Sequence, residues 1–201
     1  MHVGHALAID VALLLPEPIA ARAVALNGRL SGDRRDLRLN ESHLPHITLV
    51  QQFVVTPTLP ELLETVAASA RDQPPLELCV QGVTALGTSV TLAIRHSAPL
   101  QRLHESLMEA LAGFGEAAGD ESSFLSGDEN IRPRDLEWVA HYRLRSSFGC
   151  YQPHITIGHG SLEVPVEPFD FVADRLAVCH LGRHCTCRAV FHEWRLGGSA
   201  P

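Results

Sequence analysis

Two stretches of the chain are near-copies of each other: Pro45-His46-Ile47-Thr48-Leu49 and Pro153-His154-Ile155-Thr156-Ile157. Each starts at a proline, reads as a strand, and occupies a similar place in its half of the chain. Side chains alternate across a strand, so His and Thr, two positions apart, share one face. The Ile and the residue after Thr share the other. Each copy therefore buries an apolar edge and presents an imidazole beside a hydroxyl. If the two strands face one another, two imidazoles and two hydroxyls converge on one small volume.

The chain around them is that of an ordinary globular protein. Its 201 residues are 45% hydrophobic and 19% charged, enough for one compact domain or two small lobes sharing an interface. Residues 6–15 read as a largely buried strand ended by Pro16. Glu17-Pro18 opens a helix with Ile19, Ala23, Leu26 and Leu30 on one face, closed by Ser31-Gly32-Asp33. The first motif strand spans His46–Val50. Thr58-Leu59-Pro60-Glu61 has the form of a capping box before a helix burying Leu62, Leu63, Val66, Ala67 and Ala70. Leu76–Val80 and Val90–Ile94 alternate as a hairpin, and a third helix starts near Ser97 and Pro99. Residues 115–130 are rich in glycine, serine and acidic side chains and read as a flexible loop. A helix over 135–148, the strand Tyr151–Ile157 and a hairpin over Arg175–Leu196 complete the order. Strand, helix, strand, helix, hairpin, helix, helix, strand, hairpin is an α+β pattern within a single domain over 1–201. No Gly-rich nucleotide loop of either common pattern occurs.

Charge narrows the partners. The net charge is −7, and all sixteen basic residues are arginine. That balance argues against coating long nucleic acid through nonspecific phosphate contacts. It leaves room for a nucleotide or one RNA end, which needs only a local positive site. The five cysteines form no disulfide framework, and neither a signal peptide nor a membrane span is evident. The expectation is a cytoplasmic protein with no membrane association and no protein partner.

Two imidazoles and two hydroxyls suit phosphoryl chemistry without a metal or other cofactor. Histidine's ordinary pKa lets one ring be neutral and the other protonated near pH 7. The neutral ring can deprotonate an attacking water, and the protonated one can donate to the leaving oxygen. The threonine hydroxyls can hydrogen-bond the non-bridging phosphate oxygens. Either histidine can take either role at this level.

The two segments resemble the paired His-x-Ser/Thr-apolar motifs of the two-histidine (2H) phosphoesterases, which include 2′-5′ RNA ligase-like proteins and cyclic nucleotide phosphodiesterases. The likeness extends from the opening strand and helix to the closing Phe191-His192-Glu193-Trp194-Arg195-Leu196. It implies a pseudo-symmetric α+β fold, two lobes of antiparallel sheet with outer helices around a central cleft. It also implies 2′,3′-cyclic phosphate or 2′,5′-phosphodiester substrates, with His46 and His154 as acid and base and Thr48 and Thr156 holding phosphate. One departure is Val50-Gln51-Gln52-Phe53, where many relatives carry an aromatic and a glycine.

Further candidates follow from position. Continued alternation puts Gln52 on the His46 face, either to touch base or ribose or as an ordinary edge-of-sheet glutamine. Tyr151 is placed either to stack on a nucleobase or for ordinary packing. His159 should point away from the His154–Thr156 face. Arg38, Arg143 and Arg145 read chiefly as surface charges, and His43 as part of the turn before the first motif. The run His180…His184-Cys185-Thr186-Cys187…His192 offers zinc-like donors, but its spacing matches no common structural zinc pattern and both thiols fall on one strand face. No metal site is expected.

Overall fold

The apolar run Ala6–Leu14 forms strand β1, and Pro16 ends it because proline has no N–H for a further ladder bond. The structure, a computed structural model, describes residues 5–31, 37–86, 89–116, 118–125, 127 and 130–198. Helix α1 (Glu17–Asn27) carries Pro18 in its first turn, where a missing N–H costs nothing. Motif strand β2 (His46–Val55) continues beyond the expected Val50. Helix α2 (Leu59–Arg71) buries Leu62, Val66 and Ala70. Thr58 does not cap it: a 3-10 turn over Thr56–Thr58 leads straight into the helix, and the Thr58 hydroxyl donates to the Val55 carbonyl at 2.9 Å.

Strands β3 (Leu76–Leu86) and β4 (Ser89–Ile94) form the hairpin, with turn residues 87 and 88 outside the described residues. Ser97 caps helix α3 (Ala98–Ala110), its Oγ accepting the Leu100 N–H at 3.4 Å. Helix α4 (Pro133–Arg145) begins at a proline, earlier than expected, and stops before Phe148, whose backbone is left-handed (φ 53°). Motif strand β5 (His154–His159) follows, then β6 (Phe169–Ala173), β7 (Arg175–Leu181) and β8 (Cys187–Arg195).

The strands build two four-stranded antiparallel sheets, ordered β2-β1-β7-β8 and β5-β4-β3-β6. Each motif strand is therefore an edge strand beside an apolar neighbour, and the two halves repeat one plan. The helices cross over: α1 packs on β5, and α3 packs on β2. One continuous core results, in which Val11, Ile47 and Leu49 of the first sheet join Leu92, Ile155 and Ile157 of the second. This is the two-lobed α+β arrangement expected from the paired motifs.

Segment 115–130, expected as a flexible loop, is anchored among its described residues. Phe124 is buried edge-on against Phe53 at 5.9 Å, on the sheet face that also carries Asp10. The rings of His5 and His180 hydrogen-bond the Ser122 and Ser123 carbonyls at 2.8 and 2.9 Å. Residues 117, 126, 128 and 129 lie outside the described residues. No helix among the described residues is long and apolar enough to cross a membrane.

Candidate active site

Each motif strand carries one extra residue at the same point. Thr48 pairs with Ala12 and Val50 with Val11, leaving Leu49 unopposed; Thr156 pairs with Thr91 and Gly158 with Val90, leaving Ile157 unopposed. A β-bulge of this kind resets the alternation of side chains. Gln51, not Gln52, consequently joins His46 and Thr48 in lining the cleft, and His159 joins His154 and Thr156. Both placements correct the simple period-two reading. Gln52 turns away and donates to the Leu111 carbonyl at 3.2 Å. His159 faces the cleft and contacts His184, Nε2 to Nδ1, at 3.1 Å. The second bulge needs its glycine: Gly158 has φ 152°, and a Cβ there would lie 2.6 Å from the Leu30 side chain.

Bulges free backbone carbonyls, and buried carbonyls need donors. Those of the first motif are met from the second half of the chain. Tyr151 donates to the Thr48 carbonyl at 2.9 Å, and Tyr142 to the Leu49 carbonyl at 3.3 Å. His104 Nδ1 donates to the same Leu49 carbonyl at 2.7 Å, while its Nε2 accepts the Phe148 N–H at 2.8 Å. Those partners fix a neutral tautomer, and burial pushes the His104 pKa down. The second motif is met from the first half: Asn27 Nδ2 donates to the Ile157 carbonyl at 2.7 Å and to the Leu37 carbonyl at 2.9 Å. Tyr151 is only 3% exposed and stacks on His104 with centroids 3.9 Å apart. It props the cleft wall, so its ring does not offer the open face expected for a nucleobase.

The cleft between the motif strands holds about 800 Å³. The two imidazoles enter it in the same way. His46 Nδ1–H donates to the Leu44 carbonyl at 2.7 Å, and His154 Nδ1–H to the Gln152 carbonyl at 2.8 Å, each two residues back. A carbonyl only accepts, so the proton sits on Nδ1 and Nε2 of each ring is turned inward.

The halves then diverge at one position. Asp10 on β1 stands opposite Gln51, where the second half has Ser89 opposite His159. Asp10 is fully buried, and its Oδ2 receives the Thr48 hydroxyl and Gln51 Nε2, both at 2.7 Å, with His46 Nε2 at 3.4 Å. Its Oδ1 is buried without a hydrogen-bond partner among the described residues. A carboxylate so placed needs a counter-charge, and protonated His46 supplies one. Burial depresses the His46 pKa, but hydrogen bonding and attraction to Asp10 outweigh it, and the net shift is upward. Burial takes the His154 pKa down, aided by repulsion from His46. The Thr48 hydroxyl is committed to Asp10, whereas that of Thr156 shows no protein partner among the described residues. Asp10 was invisible in the sequence as anything but an interruption of an apolar strand.

The remaining candidates scatter. Arg38 is exposed and does not line the cleft; Arg143 donates to the Met108 carbonyl at 2.6 Å. Arg145 does reach the cleft, tied to Glu137 at 2.9 Å, and His43 lies in the turn before β2. Cys185 and Cys187 do not share a strand face. Cys185 sits in a left-handed turn (φ 53°) with its thiol toward the Asp135 carbonyl, and Cys187 begins β8, fully buried. Asp10, His46 and Cys187 do place three possible donor atoms within 4.8 Å of one another. Burial and the neighbouring Cys179 push the Cys187 thiol well up.

Paired edge strands with inward imidazoles, set in two pseudo-symmetric sheets, define a two-histidine phosphoesterase-like architecture. The family model of the 2′-5′ RNA ligase superfamily matches residues 15–191, and the chain belongs to that superfamily. No curated protein sequence matches the chain. Among solved structures it is similar to TT0787 of Thermus thermophilus, with a TM-score of 0.60 at 16% identity over 96% of this chain and 100% of that one. It is also similar to E. coli LigT complexed with ATP (TM-score 0.60, 15% identity, 96% and 99% covered). A third is E. coli LigT complexed with 3′-AMP (TM-score 0.56, 16% identity, 96% and 100% covered). At these identities the likeness establishes the fold.

Proposed function

We propose that this protein is a metal-independent phosphodiesterase that opens 2′,3′-cyclic phosphates of nucleotides or RNA ends, or cleaves 2′,5′-phosphodiester bonds. The observation that carries this reading is the pair of imidazoles, each locked by a carbonyl on Nδ1, with Asp10 beside only one of them. Nucleotide-bound structures of similar folds, E. coli LigT with ATP and with 3′-AMP, support a nucleotide ligand.

His154, held neutral by burial, is the general base; His46, held protonated by Asp10, is the general acid. A water attacks phosphorus while His154 Nε2 takes its proton. The bond from phosphorus to the ribose oxygen breaks, and His46 Nε2–H protonates that oxygen. One water is consumed and a phosphomonoester results from the cyclic substrate. The Thr156 hydroxyl donates to a non-bridging oxygen as charge builds there. The Thr48 hydroxyl, which donates to Asp10 in this structure, turns to a non-bridging phosphate oxygen in the substrate complex. With the 5′-hydroxyl of a second RNA end in place of the water, the same groups would join ends through a 2′,5′ bond: His154 takes the hydroxyl proton, the bond from phosphorus to O3′ breaks, and His46 protonates O3′; ligation of this kind gives the superfamily its name.

The test is hydrolysis of 2′,3′-cyclic nucleotides and 2′,5′-linked dinucleotides in EDTA. Wild type should turn over at least one, and His46→Ala and His154→Ala should each lose at least about 100-fold in kcat. Activity abolished by EDTA, or unchanged in either variant, sinks the mechanism. Tight nucleotide binding without turnover would leave a binding module in its place.

A further inference from the structure

Tyr151 has its ring occupied, yet the cleft does present an aromatic surface to solvent. Arg134, Trp138, Tyr142 and Arg145 fall at spacings of four, four and three along α4, which puts them on one helix face, and all four line the cleft. Trp138 is 44% exposed, costly for so large an apolar ring unless something covers it. It is not loose: its ring meets Tyr142 edge-on at 6.4 Å, and Tyr142 is anchored to the first motif strand through the Leu49 carbonyl.

Charge around this ring runs against that of the whole chain. The protein is acidic at −7, but Arg132, Arg134 and Arg145 all border the cleft. Arg132 is paired with Asp135 and Arg145 with Glu137. Arg134, one turn before Trp138, is exposed and has no ion pair among the described residues. An exposed indole beside an uncompensated guanidinium is the chemistry that holds single-stranded nucleic acid, stacking a base and neutralising the next phosphate. The paired histidines and Thr156 account for one phosphate only, so Arg134 is surplus to a mononucleotide.

We infer that the α4 lip is a nucleotide subsite: the substrate is an oligonucleotide end, the base next to the reacting nucleotide stacks on Trp138, and the phosphate beyond it meets Arg134. This deepens the phosphodiesterase reading and rests on it for the position of the reacting phosphate.

The experiment compares wild type, Trp138→Ala, Trp138→Phe and Arg134→Ala on three substrates. These are a 2′,3′-cyclic mononucleotide, a trinucleotide ending in a 2′,3′-cyclic phosphate, and the same trinucleotide made abasic at its penultimate position. Trp138→Ala should raise the trinucleotide KM about 5- to 100-fold with kcat unchanged, and Trp138→Phe should restore most of it. Neither variant should change KM for the mononucleotide or the abasic trinucleotide. Arg134→Ala should raise the trinucleotide KM and flatten its salt dependence by about one phosphate contact. Equal effects on all three substrates, or none on any, overturn the subsite. Binding gives a readout apart from turnover: a 3′-phosphorylated trinucleotide should quench the emission of wild type more than that of Trp138→Phe, which keeps only Trp194. Absence of that difference overturns the subsite even where hydrolysis proceeds. Its presence without hydrolysis keeps the subsite and rejects the catalytic reading.

Discussion

Asp10 is where one residue makes unequal partners of two matched histidines. The pH-rate profile should be bell-shaped: activity rises as His154 loses its proton, below the ordinary 6.5, and falls as His46 loses its own, above 6.5. Asp10→Asn removes the counter-charge, so the basic limb should drop toward 6.5 or below while the acid limb stays nearly fixed. At pH 8 kcat should therefore fall below that of wild type by more than it does at pH 6. An unmoved basic limb would reassign the acid. The four motif residues were legible because their types and offsets repeat. Asp10 was not, because a single carboxylate in an apolar strand has no local partner to announce it; its partners are Thr48 and Gln51, on a different strand.

At the scale of elements, the helices and seven of the strands could be read from proline punctuation and apolar period; strand β6 (Phe169–Ala173) and the bulges could not. Gly158 marks the second bulge, but Val50 stands at the matching place in the first, so alternation carried straight through to Gln52. What holds the first bulge is a layer of donors far away in sequence, with His104 at its centre. The neutral ring both donates to Leu49 and accepts from Phe148, so a second ring proton would face the Phe148 N–H. Its folded pKa lies below the unfolded 6.5. The stability it contributes is therefore present above pH 6.5 and lost as pH falls through the folded value. Urea unfolding at pH 7.5 and pH 5 should show wild type losing more stability than His104→Gln over that interval. Parallel losses would remove His104 from the account of acid sensitivity.

Across the whole molecule, each motif is latched by the other half. Asn27 ties α1 to the Leu37 and Ile157 carbonyls, its Oδ1 accepts the Leu39 N–H at 3.2 Å, and Ser31 and Ser161 exchange backbone bonds nearby at 2.9 and 3.0 Å. Asn27→Ala leaves two carbonyls and an N–H buried without partners, and should cost about 3 kcal/mol in a chemical melt. Because Ile157 belongs to the second bulge, kcat should fall at temperatures where the variant remains folded. A destabilised variant with normal kcat would separate the latch from the geometry of His154.

The strand order also sets a timetable for synthesis. Strand β1 lies between β2 and β7, yet β7 leaves the ribosome only after the whole second sheet has been made. Until then β1 has one open edge, and its apolar residues await a neighbour from the far end of the chain. The second sheet, continuous from β3 to β6, can close first. Such long-range pairing slows folding and exposes an unpaired strand meanwhile. The nascent chain thus passes through a stage with one finished sheet and one half-built, and the first sheet, the one with Asp10 in its central strand, is completed last.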